Sequence, residues 1–187
     1  VLDGAMGTTI REYGLTEAAA RGERFADAPK DLLNNGDILS LTQPATIGDI
    51  HKRFLEAGSD IIETNTFSAT TISQSDFFVE DPIDSGGRKD PEYFQQVLEN
   101  EFLQELARDI NLKGSEIARA EADRIAEETG ITRYVAGAIG PLTVSLTNGP
   151  DHDDPAFRMV TFAQVKEACR KWVVAIAYIG CDNLFDE

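Results

Sequence analysis

Cysteine, histidine and tryptophan are nearly missing from this chain: its 187 residues hold two Cys, two His and one Trp. Cys169 and Cys181 form no CxxC pair and no disulfide framework, a usage that suits a reducing, cytoplasmic setting. With two separated cysteines and two scattered histidines, no zinc site and no Ser/His/Asp arrangement can be read. Positive charge is scarce as well. Seventeen Lys and Arg against 33 Asp and Glu leave a net charge of −16. Phosphate backbones are bound by clustered cations, so no nucleic acid partner is expected. No apolar run approaches the roughly 18–20 residues of a membrane helix, so no membrane contact is expected either. Residues 1–9, VLDGAMGTT, lack the basic-then-apolar pattern of a secretory signal.

What is present is a globular composition, 42% hydrophobic, in a chain long enough for one sizeable core. Ile47, Ile50 and Phe54 recur at spacings of three and four, which predicts a helix opened by Pro44, running through Ala57 and stopped by Gly58. DILSL at 37–41 reads as a strand before it, and Asp60–Glu63 as a strand after it. Tight strand–helix–strand units of this kind mark a parallel sheet. Residues 14–36 read as loop, as does 81–90. Asp90 then caps and Pro91 opens a long helical segment to Thr129, with Leu103, Leu106, Ile110 and Ile117 on one face and an Arg119/Asp123 pair. Gly114 is a candidate interruption. Another strand spans Tyr134–Ile139, and a helix covers 162–179. The ends of two units resemble each other: GSDIIE at 58–63 and GCDNLFDE at 180–187 both follow a helix with Gly, a small residue, Asp and an apolar strand.

Strands near 1–3, 37–41, 60–64, 134–139 and 182–187, alternating with helices, predict an α/β fold. About five of eight strands in 187 residues suggest an incomplete (βα)8 TIM barrel, since a complete one takes about 250 residues. The pattern breaks off inside a strand at Glu187, so further polypeptide is expected. A doubly wound open sheet is the structural alternative.

Ligands of parallel α/β proteins sit at the carboxyl ends of the strands. Those ends carry Asp3-Gly4-Ala5-Met6, Thr42-Gln43, Glu63-Thr64-Asn65-Thr66, Gly140-Pro141 and Glu187. Such a rim suits a small zwitterion. Carboxylates pair with its ammonium, and backbone amides near Gly4 and Gly7 take its carboxylate. The competing reading is that Asp3 and Glu63 merely cap helices or bind backbone. Other motifs are weaker. DGAMG at 3–7 is not GxGxxG. Asp81, Gly86 and Glu92 occupy calcium-loop positions, but Ile83 stands where a ligand belongs. DHDD at 151–154 reads as a capped polar loop, His51 and Trp172 as packed helix residues, and both cysteines as small core residues.

Several strings, in order, carry a resemblance: DGAMGTTI at 3–10, DILSLTQP at 37–44, IHKRFLEAGSDIIETNTFSAT at 50–70, RYVAGAIGP at 133–141 and DPAFRMVTF at 154–162. They resemble the homocysteine-binding domain of cobalamin-dependent methionine synthase, with betaine–homocysteine methyltransferase a more distant relative. The resemblance covers nearly all of 1–187 apart from an insertion near 77–103. It implies a barrel that binds homocysteine and a zinc ion held by three cysteine thiolates. Zinc stabilises the substrate thiolate, which takes a methyl group from methylcobalamin recharged by methyltetrahydrofolate on other modules of the chain. Residue by residue, the Asp3-Gly4-Ala5-Met6 turn matches the turn that holds the amino-acid end, with the Ala5 and Met6 amides toward the carboxylate. Glu187 matches the glutamate at the ammonium. Thr64, Asn65 and Thr66 match the ETNTF rim. The zinc cysteines of the family lie on later strands, beyond Glu187, so this stretch alone is expected to bind no catalytic zinc and to be inactive. The partners implied are homocysteine and the folate- and cobalamin-binding modules. A methyltransferase using betaine or S-methylmethionine, or a non-catalytic binding module, are the alternative readings.

Overall fold

The computed structural model describes residues 1–147, 149, 151 and 153–177, the last three by backbone alone. Helices dominate: α1 (Met6–Glu12), α2 (Glu17–Arg21), α3 (Leu39–Thr42), α4 (Pro44–Glu56), α5 (Thr71–Phe78), α6 (Pro91–Glu99), α7 (Glu101–Thr129) and α8 (Phe162–Ala177). Strand β1 (Ile61–Glu63) pairs in parallel with β2 (Tyr134–Ala136), Ile62 opposite Val135. Leu2 forms a parallel bridge to Ile61 on the other side of β1, and Asp3 donates its amide to the Ile61 carbonyl at 2.9 Å. The N-terminal segment, β1 and β2 thus lie side by side with one direction, and their carboxyl ends share one edge.

Local chemistry accounts for the helix limits. Pro44 opens α4. The Asp90 carboxylate accepts the Tyr93 amide at 2.9 Å, and Pro91 takes the first position of α6. Asn100 then breaks the expected continuous helix and restarts it: its side chain accepts the Leu103 amide at 3.0 Å and caps α7. Gly130, in left-handed conformation, ends α7. Arg119 and Asp123 pair across one turn at 2.8 Å. Residues 14–36, expected to be loop, contain α2. The rest of that stretch is gathered by Glu17, whose carboxylate takes the Leu32 and Leu33 amides and the Arg21 guanidinium.

The 37–41 strand does not form. The chain makes a 3-10 turn at Gly36–Ile38 and runs into α3. Asp37, Ile38, Leu39 and Ser40 are all buried. Ile38 and Leu39 enter a core with Ile47, Leu106 and Ile110, while Asp37 and Ser40 reach polar atoms of residues 65–68 on the other side. Only a helical turn serves both neighbours at once; tertiary packing overrides the alternating pattern. The strand expected at 182–187 lies outside the described residues.

The stripe of α7 that faces the sheet is made of small residues: Gly114, Ser115, Ala118 and Ala122, all buried. Ala118, Ala122 and Ile125 pack with Leu55, Ile62 and Val135 beneath the strands. Gly114 does not interrupt the helix. It lets the Asn65–Thr66 turn touch it, since a Cβ there would lie 2.8 Å from Thr66 Cγ2 and 3.3 Å from the Asn65 carbonyl oxygen. The stretch 79–100 builds a separate core. Phe94, Val97 and Leu98 pack with Val160 and Ala168, the Gln164 amide donates to the Pro91 carbonyl at 2.6 Å, and the Arg88 guanidinium covers the Phe157 ring at 4.2 Å.

Glycine-to-alanine in a helix interior ordinarily stabilises by about 1 kcal/mol. At Gly114 the contact reverses the sign, because Thr66 is held by its hydroxyl and cannot swing away. Gly114→Ala is expected to lower the unfolding free energy by about 1–3 kcal/mol in urea denaturation; a neutral or stabilised variant contradicts the packing described.

Candidate functional site

Three groups meet where the parallel segments end: the turn Asp3-Gly4-Ala5-Met6, the stretch Glu63–Ser68, and residues 136–140 after β2. Asp3 Oδ2 accepts the Glu63 amide at 3.1 Å, which ties the first segment to the second. Asp3 Oδ1 is buried and has no partner among the described residues. Burial pushes the Asp3 carboxyl up to about 6, with the Glu63 carboxylate adding to it and the Glu63 amide working against it. The carboxyl is therefore ionised near neutrality and keeps an oxygen with unused accepting capacity. Just beyond it, α1 begins at Met6. Ala5 provides no side-chain cap, and no acidic residue stands in the first turn. No side-chain acceptor is seen for the leading amides of that turn among the described residues.

Thr64, Asn65 and Thr66 are brought to the same edge, but these residues are 3%, 5% and 0% exposed and their side chains are engaged inside the fold. The Ala138 amide donates to Thr64 Oγ1 at 3.0 Å, and Thr66 Oγ1 donates to the Ala138 carbonyl at 3.0 Å. The two hydroxyls lie 2.6 Å apart. Since the Thr66 proton goes to the carbonyl, the Thr64 hydroxyl is the donor between them. The result is a closed circuit: Ala138 N–H to Thr64, Thr64 to Thr66, Thr66 to Ala138 C=O. Asn65 turns the other way, donating to the Gly36 carbonyl at 2.9 Å and to Ser40 Oγ at 3.0 Å. On either side of the buried tripeptide, Glu63 and Phe67 are exposed.

Sequence reasoning missed the residues that hold this turn from behind. Asp37, 5% exposed, accepts the Ser68 amide at 2.9 Å, and the neighbouring Phe67 amide also favours its ionised form. Gln74 donates to the Ser68 carbonyl at 3.2 Å, and Asn35 donates to Gln74 at 2.7 Å. The Phe67 carbonyl accepts the Gly140 amide at 3.0 Å, an approach so close that a Cβ on Gly140 would stand 2.5 Å from that oxygen. The signal was present in DILSL: Asp and Ser three apart present their side chains on one side of a helical turn.

The other candidates resolve as follows. The Asp81 carboxylate caps the Ile83 amide at 3.0 Å and pairs with Lys89 at 3.0 Å, so it is spent on its own loop. His51 is fully buried, and desolvation lowers its pKa to about 4, keeping it neutral. Trp172 is buried in α8. Cys169 is half-buried, and burial pushes its thiol above the ordinary value. His152, Cys181 and Glu187 lie outside the described residues. Among the described residues no group of three or more His, Cys, Asp or Glu could hold a metal ion, so this donor set does not fit zinc. No helix among them is long and apolar enough to cross a membrane. A cavity of about 690 Å³ lies between α7, α8 and residues 69–71, and it shares no lining residue with the Asp3 turn or with 64–66.

The hydroxyl circuit yields a test. Thr64→Val or Thr66→Val keeps shape but strands buried partners at Ala138, so each is expected to lower stability by about 1–3 kcal/mol. The double variant should lose clearly less than the sum, because either change opens the same circuit. Chemical denaturation of the four proteins of the cycle measures this, and strict additivity argues against the circuit.

Set beside known proteins, the chain matches the family model described as homocysteine S-methyltransferase over residues 1–187. Two solved structures of the homocysteine methyltransferase MmuM from Escherichia coli share its fold. The metallated form gives a TM-score of 0.60 at 19% identity, covering 97% of this chain and 50% of that one. The oxidized form gives 0.55 at 20% identity with the same coverage. The chain thus spans about half the length of these solved relatives, and at such identities the likeness speaks for the fold: a helix-rich α/β architecture similar to that of a homocysteine methyltransferase barrel. With its whole length matched by the family model, the chain belongs to the homocysteine S-methyltransferase family.

Proposed function

We propose that residues 1–187 form the amino-acid-binding side of a (βα)8 barrel that methylates homocysteine in the manner of methionine synthase. The methyl group comes from methylcobalamin, itself recharged by 5-methyltetrahydrofolate on partner modules of the complete protein. The observation that carries this reading is Asp3: a buried carboxylate oxygen without a partner, beside the uncapped start of α1, at the shared carboxyl edge of parallel segments.

The roles follow from the chemistry. The Ala5 and Met6 amides at the head of α1 receive the substrate carboxylate, where unsatisfied N–H groups favour negative charge. Asp3 Oδ1 accepts a hydrogen bond from the ammonium, and Glu187 supplies a second carboxylate to the same group. Gly4 keeps the turn flat against Phe54, where a Cβ would come within 3.0 Å of the ring. Thr64, Asn65 and Thr66 fix the floor behind the amino acid rather than binding it directly. Held by its amino-acid end, homocysteine directs its sulfur away from this turn toward the methyl donor. The zinc that the family resemblance implies has no matching donors among the described residues, and its ligands belong to positions beyond Glu187.

Asp3→Asn removes the charge that meets the ammonium while keeping the shape. A charge-assisted hydrogen bond of about 1.5–3 kcal/mol corresponds to a tenfold or greater loss of homocysteine affinity. The pH dependence has a definite sign. Asp3 titrates near 6, and only its ionised form accepts from the ammonium, so binding weakens as pH falls through about 6 and the Asn variant lacks that limb. Its stability runs the opposite way. The folded value is raised, so the carboxyl favours folding most below about 4, and that contribution fades as pH rises to about 6. Calorimetric titration of homocysteine into the complete protein between about pH 5 and 8 reads the binding limb. Methionine formation with methylcobalamin, betaine or S-methylmethionine identifies the donor. A complete protein that neither binds homocysteine nor forms methionine is a non-catalytic module, and the reading is then wrong.

A further inference from the structure

We propose that Asp37 is a positioning residue for the amino-acid pocket: its buried carboxylate fixes the Thr66–Ser68 loop through the Ser68 amide and so holds Asp3 in place. The inference rests on the functional reading above, and nothing in that reading requires it. The chain of contacts is continuous. Asp37 takes the Ser68 amide at 2.9 Å, with the Phe67 amide beside it favouring the ionised form. The preceding residue, Thr66, closes the hydroxyl circuit with Thr64. Thr64 follows Glu63, whose amide is the one donor seen at Asp3 Oδ2.

The loop is gripped from several sides, and among the described residues Asp37 is the one charged member of the grip. Gly140 donates to the Phe67 carbonyl, and Gln74 to the Ser68 carbonyl. The side chains around the turn that enter this network, Asn35, Ser40, Asn65 and Gln74, are neutral. No ionised side chain contributes to the titration of Asp37, only burial and the two amides. Phe67 nevertheless has a side chain that leaves the residue 56% exposed. A rigid backbone under an exposed ring is a wall, not a loop awaiting order. An ionised carboxylate offers both oxygens as acceptors, whereas a protonated one gives up part of that capacity and must place a proton among N–H groups. Burial pushes this carboxyl up to about 7. The loop is therefore held tightest above neutrality and slackens as the group protonates.

The experiment uses Asp37→Ala and Asp37→Asn in the complete protein. Amide hydrogen exchange at Phe67 and Ser68 should accelerate tenfold or more in Asp37→Ala, while the Thr64 and Tyr134 amides of the strand ladder stay protected. The homocysteine dissociation constant should rise fivefold or more, with kcat changed less than twofold. Asp37→Asn, which keeps one acceptor and folds in the same shape, should show a smaller rise. It should also lack the tightening that the parent protein displays as pH rises from about 6.5 to 8. Faster exchange with unchanged homocysteine affinity makes Asp37 a structural residue only and overturns the proposal; unchanged exchange overturns it too. If Asp37→Ala does not fold, an Asp37→Asn binding profile parallel to that of the parent across pH 7 does the same. A parent protein that fails to bind homocysteine removes the functional reading itself, a result distinct from normal parental binding with an indifferent variant.

Discussion

A relay of two threonine hydroxyls closes the end of the sheet, and the geometry of the whole edge depends on it. The described strands are short, Ile61–Glu63 against Tyr134–Ala136. A ladder of that length frays at its end unless something extends it. Thr64 continues the pairing through its amide to the Ala136 carbonyl at 2.9 Å, and then the Thr64 and Thr66 side chains take over from the backbone, spanning both polar atoms of Ala138. Val and Ile would suit the strand better by propensity alone, but neither could satisfy Ala138. The pairing of the two strand ends is thereby carried past the point where regular structure stops. Asp3 inherits its position from that extension, because its own partner is the amide just before it.

The position of α7 follows from the same constraint. A helix packed under polar side chains must approach closely or leave the turn unsupported. Small residues at 114, 115, 118 and 122 allow the approach. Asn111 contributes a bond in the same region, donating to the Ala69 carbonyl at 2.8 Å. The stretch 79–100 acts one layer further out. By packing Phe94, Val97 and Leu98 against Val160 and Ala168, it supports the long connection from β2 to α8 near the edge where Gly140 grips Phe67. Both features are packing solutions to one problem, the support of irregular backbone beyond the strand ends.

Much of this was legible in the residues, and the failures share a cause. The α4 spacing, the Asp90-Pro91 start and the apolar face of α7 are local signals, and each element forms where those signals place it. The parallel direction of the strands was expected as well, although the unit from which it was read, 37–63, lacks its first strand. Two readings went astray because their partners are distant in sequence. DILSL alternates well enough for a strand, yet Asp37 and Ser40 answer to residues 65–68. Gly114 looked like a helix breaker and is a contact with Thr66. The partners of the ETNTF hydroxyls are equally remote, more than 70 positions away at Ala138. Periodicity records which face of an element is buried; it does not record whether a polar side chain on that face meets solvent, ligand or backbone.

The two carboxylates at this edge show why a raised pKa alone does not assign a role. Asp3 and Asp37 are both lifted by burial, to about 6 and about 7. The cause is the same and the residual chemistry differs. Asp37 is almost wholly enclosed, and the contacts seen for it are backbone amides, so its charge is used to hold the fold. Asp3 is only half-buried, one oxygen occupied by the Glu63 amide and the other facing no partner, so part of its charge is left over. The unspent oxygen, more than the displaced titration, separates the two groups: Asp3 keeps accepting capacity, whereas the capacity seen for Asp37 is spent on the backbone behind it.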